Sequence, residues 1–397
     1  MAELESRNVG KPLREAREEV ALAARCFRFY AGAADKAGGS TVPVAAAGLN
    51  LTLREPVGVC GLIVPWNFPL VISAWKVAPA LAMANTVVVK PATQTPLTVL
   101  RLAELASESG LPDGAFNVVP GPGDEVGDAL VRHRSVRKIS FTGSTEVGIS
   151  VMKLAAEDLK RVTLELGGKS ANVVFADADI DRAADAAVWS VLGNAGQDCC
   201  ARSRLFVQRP LYESFVQRVA ERFRAVILGA PLDESTQMGP LISKSHRRRV
   251  MEYVESGKRQ GARLLCGGRI PETAELTDGA YLEPALFVDA GAETRIMREE
   301  IFGPVLAAAP FDSEEQAVAL ANDTTYGLSG SVWTRDLGQA LRVAGRIRTG
   351  VLSINSATSV HLEAPFGGVR HSGIGRELGL AALDTYSELK TVYIDPR

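Results

Sequence analysis

Short runs of apolar and β-branched residues recur along this chain, separated by helix-like patterns, and that alternation restricts its fold more than any other feature. The first series lies at residues 57–64, 86–89, 116–119, 138–141, 162–166 and 172–175. A second follows at 203–207, 285–288, 305–308, 329–333 and 351–354, with a last run at 389–394. Strands that read as continuous apolar runs are covered on both faces, and their alternation with helices predicts βαβ units in an α/β fold. Between them, residues 96–109 predict a helix, with Pro96 in its first turn, an apolar face through Leu97, Leu100 and Ala103, and Gly110 at its stop. A chain of 397 residues has room for two or three domains at roughly 150 residues each. A boundary at Gly167-Gly168 suits a glycine pair, although a plain loop would use the same residues.

Charge and cysteine usage narrow the function classes. With 44 Lys+Arg against 46 Asp+Glu the net charge is -2, which gives no basic surface for nucleic acid and points to small-molecule partners. The five cysteines include an adjacent pair, so they do not read as a secreted disulfide framework and fit a reducing, cytoplasmic setting. No CxxC or HExxH spacing is present, so no metal site is expected. Residues 57–75 carry no charge and are long enough to span a bilayer, but Gly58, Gly61, Pro65 and Pro69 punctuate them as strand, turn and helix. Pro79 is expected to break or kink the helix that follows.

Several residues invite a chemical reading beside an ordinary one. Phe141-Thr142-Gly143-Ser144-Thr145-Glu146-Val147-Gly148 joins a strand to a helix, where glycines and free N–H groups suit a phosphate; a plain turn needs the same residues. The related run Gly121-Pro122-Gly123 through Gly127 misses the dinucleotide spacing by one residue. Cys199, in Gly196-Gln197-Asp198-Cys199-Cys200 at an expected helix end, is a candidate nucleophile against the common case of an inert core thiol. Glu165 closes an apolar strand, an awkward place for a charge unless it faces a cleft as a general base. Asn67 sits in a Pro65–Pro69 turn and offers an oxyanion-holding amide, and Lys90 ends a strand where ligands are met.

Together and in this order, these segments resemble the aldehyde dehydrogenase superfamily over nearly the whole chain. The resemblance rests on Pro65-Trp66-Asn67-Phe68-Pro69, Lys90-Pro91 before Thr95-Pro96, Phe141 to Gly148 and Glu165-Leu166-Gly167-Gly168-Lys169. It continues in Gly196 to Cys199, Glu300-Ile301-Phe302-Gly303-Pro304, Pro365-Phe366-Gly367-Gly368 and Ser372 to Glu377. It implies a Rossmann-like coenzyme-binding domain over 1–166, an α/β catalytic domain over 167–368, and a C-terminal segment over 369–397. A small β oligomerisation element would join 38–56 to the last strand, in a homodimer or homotetramer.

By the same resemblance, Cys199 attacks an aldehyde, the Asn67 amide and the Cys199 N–H hold the oxyanion, and Glu165 activates the water that releases a carboxylic acid. Trp66, Lys90, Thr93, Gly143, Ser144, Gly148, Glu300 and Phe302 would bind NAD or NADP. Phe68, Trp75, Trp189, Asp198 and Phe366 would line the substrate tunnel, where Asp198 and Glu363 could favour a cationic aldehyde. Two departures stand out. Thr93 occupies the place of a glutamate that many NAD-preferring relatives use on the ribose 2′-hydroxyl; NAD is favoured on family grounds, and Thr93 leaves NADP open. Gly10-Lys11-Pro12 matches a motif lying well inside typical members, so an opening portion is expected to be missing. A catalytically inactive relative with a binding or structural role is the alternative.

Overall fold

The computed structural model describes residues 1–397, the side chains of Ala274 and Glu275 excepted. Two sheets organise it. In the six-stranded sheet the spatial order is Gly373–Ile374, Arg161–Glu165, Val136–Thr142, Val59–Ile63, Thr86–Lys90 and Phe116–Val118. All pairings are parallel except that of Gly373–Ile374 with Arg161–Glu165. The earliest of these strands in the chain is Val59–Ile63. From it the chain builds outward through Thr86–Lys90 and Phe116–Val118, then returns to its other side. A crevice therefore opens at the carboxyl ends of Val59–Ile63 and Val136–Thr142, where the strand order reverses. The helices that leave these two ends are Pro69–Ala82 and Thr145–Ala156.

The seven-stranded sheet runs Val351–Ile354, Ser329–Trp333, Ala171–Val174, Arg204–Gln208, Val305–Phe311, Ala285–Val288 and Arg263–Cys266. Only the last strand is antiparallel to its neighbour. Helix Arg209–Arg224 shows why such elements form: Leu211, Phe215, Val219 and Phe223 recur every four residues on one face, and all are buried in the core that includes Val173, Val207, Phe287 and Phe311.

A two-stranded ribbon stands apart from both sheets, pairing Leu49–Pro56 antiparallel with Ser387–Ile394. Arg54 pairs with Asp384 outside the ribbon, and Lys390 pairs with Glu55 across it. Leu53, Leu389, Tyr393 and Ile394 leave apolar surface on it exposed. The N-terminal helices Ala2–Val9 and Leu13–Ala33 do not confine themselves to the first sheet: the Leu13 N–H donates to the Pro231 carbonyl, and Arg17 pairs with Glu234.

Several expectations need correction. The helix from Pro69 is not broken at Pro79 but runs on to Ala82: the missing N–H costs one hydrogen bond, and residues Pro69 to Ala80 are buried and held by packing. Residues 40–48 form no strand beyond an isolated bridge from Thr41 to Leu51. Cys199 lies in a loop beyond helix Ile180–Leu192, not at its end. The edge strands Arg263–Cys266 and Gly373–Ile374 were not expected. No helix is long and apolar enough to cross a membrane among the described residues, and all five cysteines are free.

The return of Gly373 to the first sheet generates a prediction. Gly373 has φ 140, and a Cβ there would stand 2.0 Å from the Leu164 carbonyl oxygen. Gly373→Ala should therefore cost about 2 kcal/mol or more in denaturant unfolding; an unchanged midpoint would contradict the pairing.

Candidate active site

After helix Ile180–Leu192 the chain turns through three left-handed residues, Asn194 (φ 48), Ala195 (φ 55) and Gly196 (φ 73). Non-glycine residues in that region cost of order 1 kcal/mol or more each, so the surroundings must hold them. The Asn194 amide donates to the carbonyls of Asn67 (3.0 Å) and Gln197 (3.3 Å), and its N–H donates to Glu15 Oε2 at 3.0 Å. Buried Gln197 donates back to the Asn194 carbonyl and accepts from the Ile242 N–H. Gly196 is required by contact: a Cβ there would lie 2.2 Å from the Gly303 carbonyl carbon. The cysteine loop thereby rests directly on the segment that carries Glu300 and Phe302.

The glycine pair after Glu165 does the same from the other side. A Cβ on Gly168 would meet the Cys199 carbonyl oxygen at 2.4 Å, and one on Gly167 would meet Glu300 Oε2 at 2.3 Å. The Gly168 N–H donates to Glu300 Oε1 at 2.9 Å. Burial raises the Glu300 carboxyl to about 7 against the opposing pull of that hydrogen bond. Neighbouring Lys169 is buried with its ammonium unpartnered, and desolvation lowers it to about 7.

Asn67 is buried, and its Nδ2 donates to the Gln197 carbonyl at 2.9 Å. That uses one of two amide protons. The second, and the backbone N–H of Cys199, have no protein acceptor among the described residues. Glu165 is buried with both carboxyl oxygens unpartnered. Its Oε1 lies against Gly367, where a Cβ would come within 2.5 Å. Burial holds Glu165 well above the ordinary carboxylate range; nearby Glu377 adds to the effect and Lys76 opposes it. Glu377 pairs with Lys76 and accepts from Ser140 Oγ at 2.9 Å, all inside the protein.

A cavity of about 440 Å³ opens over Cys199. Phe68, Trp75, Trp189, Asp198 and Phe366 all stand on its wall, with Trp75 and Phe366 ring centroids 5.4 Å apart. Glu165 does not line it. Glu363 is on the surface instead, 3.7 Å from Arg25, so it has no place in the cavity. Two charged wall residues had no sequence signal, Glu19 and Arg202. Donor atoms of Asp198, Cys199 and Cys200 lie within 4.8 Å of one another, and Asp198 Oδ1 already accepts the Cys200 N–H at 2.8 Å.

At the crevice, Trp66 packs edge-on against Phe302 with centroids 5.2 Å apart. His246 completes the cluster, 5.6 Å from Trp66 and hydrogen-bonded through Nε2 to the Phe302 carbonyl at 2.7 Å. Burial lowers the His246 pKa. Phe302 itself has φ 58, a strained conformation for a bulky residue. Lys90 ends its strand buried, and desolvation lowers its pKa against the attraction of Asp124. Thr93 Oγ1 donates to the Gly121 carbonyl at 2.9 Å.

The glycine loop needs revision. The Gly143 N–H is not free, since it donates to the Glu165 carbonyl at 3.1 Å. Cβ atoms on Gly143 and Gly148 would meet the ends of the Phe141 and Leu166 side chains at 2.5 and 2.4 Å, so packing also favours both glycines. Ser144 caps the following helix by accepting from the Val147 N–H at 3.3 Å.

The Cys199 thiol is held well above its ordinary range, first by its hydrogen bond with Cys200, then by burial and by the negative field of Asp198 and Glu300. Its alkylation by iodoacetamide, followed by mass spectrometry, should still be accelerating above about pH 9, where an ordinary thiol levels off. Cys200→Ala should move the profile to lower pH. A plateau below about pH 8 in the unaltered chain would contradict this electrostatic picture.

Known proteins resemble this chain in sequence and fold. Residues 1–392 match the Aldehyde dehydrogenase family. A betaine aldehyde dehydrogenase of Bacillus subtilis is 45% identical over 395 residues, 99% of this chain and 80% of that protein. Retinal dehydrogenase 2 of Homo sapiens is 44% identical, covering 99% of this chain and 76% of its own. The crystal structure of Staphylococcus aureus betaine aldehyde dehydrogenase in complex with NAD+ superposes with a TM-score of 0.97 at 40% identity, over 99% of this chain and 78% of that one. With the family matched across almost every residue and close relatives matched over most of their length, this chain belongs to the aldehyde dehydrogenase family.

Proposed function

We propose that this protein oxidises an aldehyde to a carboxylic acid with NAD(P)+ by way of a thioester on Cys199. The observation that carries the reading is the Cys199 thiol at an aromatic-walled cavity, with two uncommitted N–H groups beside it. Cys199 Sγ, once its proton has left, adds to the aldehyde carbon. The oxyanion that forms accepts hydrogen bonds from the second Asn67 amide proton and the Cys199 N–H; donors placed in advance for developing charge are typically worth several kcal/mol. The chemistry a nicotinamide dinucleotide supplies when bound is that of a hydride acceptor, and loss of hydride from the thiohemiacetal carbon leaves the thioester. Glu165 then takes a proton from the attacking water, and its raised pKa makes it a stronger base for that task.

The residues at the crevice fit such a cofactor. Lys90 offers a buried ammonium that makes no side-chain hydrogen bond among the described residues, which suits the adenosine ribose. Glu300 has one carboxyl oxygen anchored to Gly168, which leaves the other for the nicotinamide ribose. Trp66 and Phe302 supply apolar faces, and the amino end of helix Thr145–Ala156, with Gly143, Ser144 and Gly148, suits the pyrophosphate. NAD is the favoured cofactor, and Thr93 allows NADP.

Residues 1–166 are read as the coenzyme-binding domain, 167–368 as the catalytic domain, and 369–397 as the segment closing the assembly. The exposed apolar side chains of the Leu49–Pro56 and Ser387–Ile394 ribbon support a homodimer or homotetramer joined there. Five free cysteines support a cytoplasmic setting. The aromatic wall with Asp198 suits an aldehyde that is apolar or cationic.

The direct test is formation of reduced nicotinamide from aliphatic, aromatic and amino-aldehydes with each cofactor, beside Cys199→Ala. Turnover that disappears in the variant supports the reading; a folded chain that turns over none of them would favour an inactive relative. Because Cys199 and Glu165 work deprotonated and both are shifted upward, kcat/KM should climb with pH through neutrality into the alkaline range; a rise complete below about pH 6 would count against them. Glu165→Gln should lower steady turnover by about 10²-fold or more while a first turnover of hydride transfer persists. Thr93→Glu should shift preference from NADP toward NAD, since a carboxylate repels the 2′-phosphate; an unchanged ratio of kcat/KM would refute that role.

A further inference from the structure

We infer that Lys11, paired with Glu19, is a positioning residue that holds the Asn67 amide in place beside Cys199. The inference rests on the oxyanion role proposed for Asn67. Lys11 has no exposed side-chain surface; its Nζ lies 2.5 Å from Glu19 Oε1, donates to the Asn67 carbonyl at 3.0 Å, and stands 4.2 Å over the Phe68 ring. That carbonyl also accepts from Asn194 Nδ2, so two donors pin the Asn67 backbone from different parts of the chain. The Asn67 side chain, in turn, is tethered to the Gln197 carbonyl, two residues before the nucleophile.

The same N-terminal helix grips the other half of the site. Glu15, one turn before Glu19, accepts the Asn194 N–H and so braces the left-handed turn of the cysteine loop. Helix Leu13–Ala33 thus reaches both segments that carry the oxyanion donors, the Asn67 backbone by way of Glu19 and Lys11, and the cysteine loop through Glu15 at Asn194. An ion pair is an expensive way to fill such a space, because buried charges lose hydration that packed apolar groups would not need. What an apolar pair cannot supply is a directional donor on the Asn67 carbonyl. Displacement of a reacting group by about 1 Å can cost about a hundredfold in rate, so a modest rotation of the Asn67 peptide is enough to matter.

The test replaces both partners together, Lys11→Met with Glu19→Gln, so that no buried charge is left alone. It is made in the unaltered chain and in Asn67→Ala, and two reactions are read. One is oxidation of a neutral aliphatic aldehyde. The other is cofactor-independent hydrolysis of p-nitrophenyl acetate, which uses Cys199 and the same oxyanion donors, so the inference stands or falls even if no aldehyde is oxidised. In the unaltered chain, kcat should fall about tenfold to a hundredfold with KM changed less than about twofold. In Asn67→Ala the same pair should cost nothing further, because the group it positions is gone. Equal losses in both backgrounds, or a rise in KM alone, would overturn the inference. Should the double replacement fail to fold, Lys11→Arg keeps the charge but moves the donor, and the same dependence on Asn67 is expected of it.

Discussion

Close backbone contact without side chains holds this site together. Gly168 lies against the Cys199 carbonyl, Gly167 against the Glu300 carboxyl, and Gly196 against Gly303, each at a separation that a single methyl group would violate. Three segments far apart in sequence are thereby brought into one layer between the two sheets. The strand ending at Glu165 belongs to the first sheet, and the Cys199 and Glu300 loops precede strands of the second. Substitution at any of these glycines would push apart two of the three segments.

Around that layer the protein buries more charge than stability alone calls for. Glu165, Glu377 and Lys76 form one group, Lys11 and Glu19 another, and Lys169 sits alone beside Glu300. A buried polar atom without a partner costs roughly 1–3 kcal/mol, and Glu165 carries two. The return is chemical. Desolvation pushes its carboxyl upward to where it can take a proton from water, and Glu377, in an isolated bridge with Phe366, reinforces the shift.

Much of this was legible in the sequence, for reasons that differ by element. Ala285–Val288 and Ser329–Trp333 fall where their apolar runs place them, since buried interior strands need little else to specify them. Arg263–Cys266 escaped notice as a short, half-buried edge, and Gly373–Ile374 because two residues hold no pattern. Pro79 does not break its helix, because burial of the surrounding turns, which the local sequence does not show, holds the helix through it. The aromatic wall and Cys199 came from motif resemblance, and the cavity unites them. At Gly143 and Gly148 the structure adds close contacts with the Phe141 and Leu166 side chains, which no local pattern shows. Lys11, Glu15, Glu19, Arg202 and His246 act through partners remote in sequence, which local patterns do not reveal. Lys76 did leave a trace, as the one charge in the otherwise apolar helix Pro69–Ala82.

The account stands on a covalent acyl group passing through Cys199. Mixing Glu165→Gln with aldehyde and NAD+, quenching in acid and weighing the intact protein measures it directly. A mass increase equal to the acyl group, located on Cys199 and removed by hydroxylamine, is the expected result. Reduced nicotinamide accumulating with no adduct, or with the adduct on another residue, would contradict it.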